Sequence, residues 1–163
     1  MIFFSRWLKN SSDELLTSKL FNESTFYEAF INDLKRCKKE VIIESPYITC
    51  NRMELLEPIF QKLVKHRIKV YIITRSPEEH NETLARQAEL EISILEEMGV
   101  QVLLYPGNHH RKLAILDSKI LWEGSLNILS QAYSSEIMRR IESQKLTEQM
   151  FNFLKLEKFL RKV

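Results

Sequence analysis

The sequence predicts an α/β fold, a mixed and largely buried β-sheet sandwiched by helices. Three observations lead there. Short β-branched apolar runs alternate along the chain with stretches of helical period. The runs are continuously apolar rather than alternating, which marks strands covered on both faces. The 163 residues hold only three glycines and show no repeat, low-complexity tract or Gly/Ser linker, so a single domain over residues 1–163 is expected.

The elements follow in order. Residues 1–24 are weakly patterned, and Ser11-Ser12-Asp13-Glu14 is placed to cap a short helix running to about Leu20. From Thr25 to Lys38 the apolar residues Phe26, Ala29, Phe30 and Leu34 keep a helical spacing. Glu40 to Ser45 is a β-branched run stopped by Pro46, a buried strand. Met53 to His66 is helical again, and Pro58 inside it predicts a kink or a late start. Ile68 to Thr74 is a second buried strand. Glu82 to Met98 is a helix, with Gly99 as its C-cap. Val100 to Tyr105 is a third strand, closed by Pro106-Gly107. Lys112 to Leu116 and Lys119 to Glu123 flank an Asp117-Ser118 turn, Ser135 to Ile141 is a further strand, and Ser143 to about Arg161 closes the chain as one amphipathic helix.

Composition removes several function classes. The hydrophobic fraction of 44% and the charged fraction of 28% are those of an ordinary globular protein, and a net charge of +2 permits nucleic-acid binding without arguing for it. Cys37 and Cys50 lack C-x-x-C spacing and are expected as free thiols, so no zinc site assembles from them and the four histidines. The apolar start, with Ile2, Phe3, Phe4, Trp7 and Leu8, is too short for a signal peptide, and no run reaches the length of a membrane span. A cytoplasmic location without membrane association is expected, with a larger protein context left open.

The chemistry concentrates in residues 110–127, whose polar skeleton reads H-x-K-x4-D-x6-G-S-x-N. Placed on a strand, His110 and Lys112 point to one side while Leu113 and Ile115 point into core. A neutral imidazole is a competent nucleophile toward phosphorus and would form a phosphohistidine. Lys112 offers fixed positive charge to the non-bridging oxygens, and Ser125 and Asn127 add neutral donors. Gly124 permits a close backbone approach. Asp117, across the turn, is better suited to fixing the fold than to touching substrate. A nucleophilic imidazole also needs an acceptor on its second nitrogen, and Glu136, on the next expected strand, is the candidate. Arg111, Lys119 and Arg139 flank the motif as candidates for substrate phosphates, while the adjacent Arg139 and Arg140 must face opposite ways. His109 would compete for the nucleophile's role only if the register were wrong. Glu78-Glu79 and Glu96-Glu97 read as solvated charge, the basic stretch Lys155 to Lys162 as an exposed helix face, and Tyr47 and Tyr105 as candidates to line the cleft.

This skeleton resembles the HKD signature of the phospholipase D superfamily, in the flavour of its short single-motif nucleases and of the domains that accompany some DNA helicases. The specific resemblance covers about residues 100–141; the N-terminal half agrees in pattern alone. It implies a phospholipase D-like fold, with His110 as nucleophile and Lys112, Ser125, Asn127 and Glu136 in the roles just argued. Neither cofactor nor metal is expected, because the lysine takes the place of the metal's charge.

The motif occurs once, and protonating the leaving oxygen calls for a second acid. His66 and His80 lack the lysine and read as structural. A homodimer through the motif face, each His110 facing its mate, is the simplest remedy. The leading expectation is therefore a metal-independent phosphodiesterase cleaving nucleic acid, DNA before RNA. The alternatives are a phospholipid hydrolase or transphosphatidylase, and a non-catalytic nucleic-acid-binding or dimerisation module of a larger helicase-type protein.

Overall fold

A computed structural model describes residues 18–130 and 133–160. Seven strands form one mixed sheet: β1 (Ser18–Asn22), β2 (Glu40–Glu44), β3 (Lys69–Arg75), β4 (Gln101–Tyr105), β5 (Leu113–Leu116), β6 (Ile120–Gly124) and β7 (Ile137–Glu142), in the order β1-β7-β6-β5-β2-β3-β4. Strands β2, β3 and β4 are parallel, and all other pairings are antiparallel. The parallel strands need crossovers, supplied by α2 (Cys50–Lys65) and α3 (Glu82–Met98), while α1 (Phe26–Leu34) precedes β2.

Alternation divides the strand residues between two cores. Val41, Ile43, Ala114, Leu116 and Trp122 face α1, α2 and α3, meeting Phe26, Phe30, Phe60 and Leu95. Ile42, Ile73, Leu113, Ile115 and Leu121 face the C-terminal helices α4 (Gln144–Phe153) and α5 (Glu157–Leu160). Both faces are thus covered, as the continuous apolar runs require. Within the larger core Trp122 donates its indole N–H to Asp33 at 3.0 Å, and Arg140 holds the same buried carboxylate at 2.6 Å.

Several expectations need correction. Residues 18–20, placed at the end of a capped helix, lie in β1, where Leu20 pairs with Arg139; residues 11–17 lie outside the described part. That pairing partner is remote in sequence, so local capping signals could not reveal it. Helix α2 begins at Cys50 and continues through Pro58, which lies on its exposed side and forfeits only its own N–H bond. The closing helix is broken in two at Lys155, whose φ is 53° and which allows Leu156 to enter the core fully buried. Helix α3 matches its expected span, with Gly99 at φ 98°. Cys37 and Cys50 are free, and no described helix is long and apolar enough to cross a membrane.

The β5–β6 hairpin sits at the centre of the sheet and turns through Asp117 and Ser118, at φ 52° and 53°. The Asp117 carboxylate then accepts the backbone N–H groups of Lys38 and Lys39, each at 2.8 Å, and of Glu40 at 3.1 Å. One side chain so fastens the hairpin tip to the start of β2. Asp117→Ala should cost roughly 2–4 kcal/mol, read as a lower urea midpoint at unchanged slope.

Between α2 and α3 the carboxyls of Glu57 and Glu91 lie together, and neither forms an ion pair among the described residues. Glu91 is buried and its Oε2 has no partner among the described residues. Burial, with the hydrogen bond to and charge of Glu91, pushes the Glu57 carboxyl up to about 7. A carboxyl raised on folding stabilises below its ordinary value of 4.5 and loses that contribution as pH rises through about 7. Glu57→Gln should therefore raise Tm at about pH 8 and leave it nearly unchanged at about pH 4, measured by thermal melts across pH.

Candidate active site

The sheet delivers the motif to the end where β2, β3 and β4 finish and β5 begins. His110 and Lys112 sit in the loop just before β5, not on the strand as the spacing suggested, although Gly124 N still donates to Lys112 O at 3.3 Å. His110 is exposed. The Lys112 ammonium lies 2.8 Å from both His110 Nδ1 and the His110 carbonyl oxygen. An ammonium only donates, so in this contact Nδ1 accepts. Desolvation lowers the Lys112 pKa, and the charge of Glu136 opposes that shift.

Ser125 and Glu136 come together across β6 and β7. The Ser125 hydroxyl donates to the Glu136 carboxylate, and Ser134 donates to its other oxygen at 2.5 Å. The Ser125 oxygen also accepts the Ile137 N–H at 3.0 Å, while Ser125 N donates to Ile137 O at 2.9 Å. Within one chain, then, Glu136 holds Ser125 rather than the second nitrogen of His110. Gly124 is required here: a Cβ would lie 2.1 Å from Ile137 O. Asn127 is half-buried, and its Oδ1 lacks a partner among the described residues. Its loop is fastened from below, by Tyr27 donating to Ile128 O at 3.0 Å and by Leu129 N donating to Ser45 Oγ at 3.2 Å.

The flanking cations divide. Arg139 lines an open cleft of about 550 Å³ with His110, Lys112 and Glu123. Arg140 faces the other side of the sheet, held by Asp33. Lys119 lies at the far tip of the hairpin, paired with Glu142 at 2.9 Å, so it is not part of the cluster around His110. Arg111 is not free for substrate either. Its Nε and Nη2 donate to the fully buried Glu44 carboxylate at 2.5 and 3.0 Å, and its guanidinium lies over the Tyr105 ring. Burial pushes the Glu44 carboxyl up, against the pull of Arg111.

The same contacts settle which histidine is available. His109 is 3% exposed and stacked on Tyr105 at 4.9 Å, with Nε2 3.9 Å from Glu44. Burial and the neighbouring cations Arg111 and Lys112 push its pKa down to about 4, so it is neutral and enclosed. His66 lies at the opposite end of the sheet, and His80 packs against Tyr47. The loop is pinned further by Arg75, whose Nη2 lies 3.4 Å from Asn108 Oδ1, and by Glu79, which accepts Gly107 N–H at 3.2 Å. Glu44, Arg75 and Asn108 belong to no motif in the sequence, and Glu79, expected as solvated charge, is instead paired with Arg75 at 3.0 Å. The one available signal was Glu44, an acid closing an otherwise apolar strand. Among the described residues no group of three or more His, Cys, Asp or Glu is arranged to hold a metal ion.

The family described as "Cardiolipin synthase, PLD-like domain" matches residues 30–156, which includes the whole of this cluster. The chain belongs to the phospholipase D-like family. Solved structures share its fold. NucT from Helicobacter pylori superposes with a TM-score of 0.66 at 21% identity, covering 85% of this chain and 92% of that one. Nuc from Salmonella typhimurium, a phospholipase D family member, gives 0.69 at 14% identity over 85% and 91%. Phosphatidylserine synthase from Haemophilus influenzae Rd KW20 gives 0.68 at 14% identity, but only 38% of its chain is covered. No curated protein matches the sequence. At these identities the structures speak for the fold alone.

The Glu44–Arg111 pair makes a direct prediction about this phospholipase D-like loop. Arg111→Met alone strands a buried carboxylate and should cost about 3 kcal/mol, whereas Arg111→Met with Glu44→Leu should recover most of that loss. Urea unfolding of the two variants measures the difference.

Proposed function

We propose that this chain is a metal-independent phosphodiesterase that cleaves nucleic acid, DNA in the first place, through a phosphohistidine on His110 at a site shared by two copies of the chain. The observation that carries the proposal is the exposed His110 imidazole beside the Lys112 ammonium, at the mouth of a cleft bordered by Arg139. Nε2 attacks phosphorus and the bond to the leaving oxygen breaks. Lys112 and Arg139 offset the charge that builds on the non-bridging oxygens, with Ser125 and Asn127 as neutral donors. Water then cleaves the phosphohistidine and frees His110.

Support for two copies comes from the proton. The attacking His110 needs Nε2 unprotonated and its proton on Nδ1, held by an acceptor, whereas within one chain Nδ1 faces the Lys112 ammonium. Two facing histidines divide the roles: an imidazolium gives its proton to the leaving oxygen while the neutral imidazole attacks, and the imidazole so formed takes a proton from the water that cleaves the phosphohistidine. The exposed apolar residues Leu20, Ile137 and Phe153 border the cleft, and a second copy is the occupant proposed for them. They also favour the second reading, a phospholipid hydrolase or transphosphatidylase, because they would equally admit an acyl chain. Nucleic acid is preferred because the fold is shared with NucT and Nuc over more than nine tenths of their own length, and with phosphatidylserine synthase over only 38% of its chain.

The test is cleavage of labelled single- and double-stranded DNA and RNA in excess EDTA by wild type and His110→Ala. Cleavage should survive chelation and fall by at least about 10³-fold in the variant, and acid quenching should trap labelled phosphate on a histidine. Dimeric protein that cleaves no polymer but hydrolyses phospholipid vesicles would move the assignment to the second reading.

A further inference from the structure

The end of the sheet opposite the cleft carries a different surface. Strands β2 and β3 are adjacent and parallel, so the turns that lead into them lie side by side. The first turn, after α1, bears Lys35, Arg36, Lys38 and Lys39, all exposed. The second, at the end of α2, bears Lys62, Lys65, Arg67 and Lys69, also exposed, with His66 among them. None of these side chains forms an ion pair among the described residues. The nearby Asp117 carboxylate is already occupied by three backbone N–H groups, and Glu40, the register partner of Lys69, accepts from the Ser118 hydroxyl at 2.8 Å. Between the two turns runs a groove of about 470 Å³, rimmed by Lys35, Lys38, Lys62 and His66 over a floor that includes Pro58 and Ile59.

Helix dipoles account for part of this charge. Lys62 and Lys65 stand in the last turn of α2, where a cation offsets the exposed carbonyls. Lys38, Lys39, Arg67 and Lys69 lie beyond the helices and gain little from them. Cations crowded together without counter-ions repel one another, a cost that an anionic ligand removes.

We propose that this groove and its two turns bind the phosphate backbone of a nucleic-acid strand, as a contact separate from the catalytic cleft. The inference rests on the reading of nucleic acid as the polymer this chain handles. Ammonium and guanidinium groups donate to phosphate oxygens, and the partly apolar floor accepts the sugar. A bilayer fits less well. The large exposed hydrophobic residues are Leu20, Leu55, Leu90, Leu104, Tyr133, Ile137 and Phe153, none of them on these turns, so nothing here would insert into lipid. A membrane at this end would also face away from His110. Strand β2 separates groove and cleft by roughly 15 Å, so this contact grips the polymer away from the scissile phosphate.

The test uses Lys35→Gln, Lys38→Gln and Lys62→Gln combined, in a His110→Ala background so that binding is read without cleavage. Fluorescence anisotropy follows a labelled DNA of about 40 nucleotides, single- and double-stranded, from about 50 to 200 mM salt. Affinity should fall about tenfold or more, and the slope of log affinity against log salt should become shallower by about 2–3. With His110 restored, the triple variant should hydrolyse a small chromogenic phosphodiester, bis(p-nitrophenyl) phosphate, at the parent's kcat/KM, and its thermal melt should match the parent's. Unchanged DNA affinity, or no binding by the parent, overturns the proposal. So does intact DNA binding with lost binding to phosphatidylserine vesicles, which would make the surface a membrane contact. If the parent cleaves nothing yet the triple variant binds DNA more weakly, the groove stands and only the cleavage reading falls.

Discussion

The loop that carries His110 depends on one buried ion pair. Residues 106–112 have no regular structure to hold them, yet His110 must sit at a defined place beside β6. Glu44 supplies that anchor from the end of β2 by taking both forks of Arg111. Because Arg111 and His109 flank His110, fixing them leaves the intervening side chain only one way to face, outward. Burying a carboxylate is costly, and the cost is tolerated where the pairing is bidentate and a planar ring covers the guanidinium. The neutral, stacked His109 extends the same packing by one residue.

A second anchor acts at the other tip of the hairpin, where Asp117 collects three amides of the β2 start. The central hairpin is thus tied to the same strand at both ends, by a side chain of β2 at one and by its backbone at the other. Between these ties the sheet changes from parallel to antiparallel, at β2 and β5. The functional loops all emerge at that seam, since β2 and β3 end where β5 starts.

Much of this was legible in the chain. The β-branched runs gave the central strands because continuous apolarity has one meaning in a covered sheet, and Gly99 marked the end of α3 because a left-handed cap favours glycine. His110, Lys112, Gly124, Ser125 and Asn127 stand out as candidates because their spacing is local to one hairpin. What failed was non-local. Arg111 looked free because its partner lies far upstream in the sequence, and Lys119 looked close because a hairpin brings sequence neighbours to opposite ends. The β1 strand was hidden for the same reason: its pairing partner is β7, at the other end of the chain. Glu136 reads as near the cluster, but whether it takes Ser125 and Ser134 or a histidine depends on how β7 lies against β6.

The span closed by Asp117 has a kinetic side. Its carboxylate meets amides 77 to 79 residues away, so the chain must close a long loop before that contact contributes anything. Local elements such as α3 and the β5–β6 hairpin can form early, whereas the β2–β5 seam is a long-range pairing of the kind that slows folding. Both ties run through that seam, so a chain in which it has not closed carries the full motif in its sequence and no site in space. Assembly of the seam is then the step that fixes the His110 loop in place.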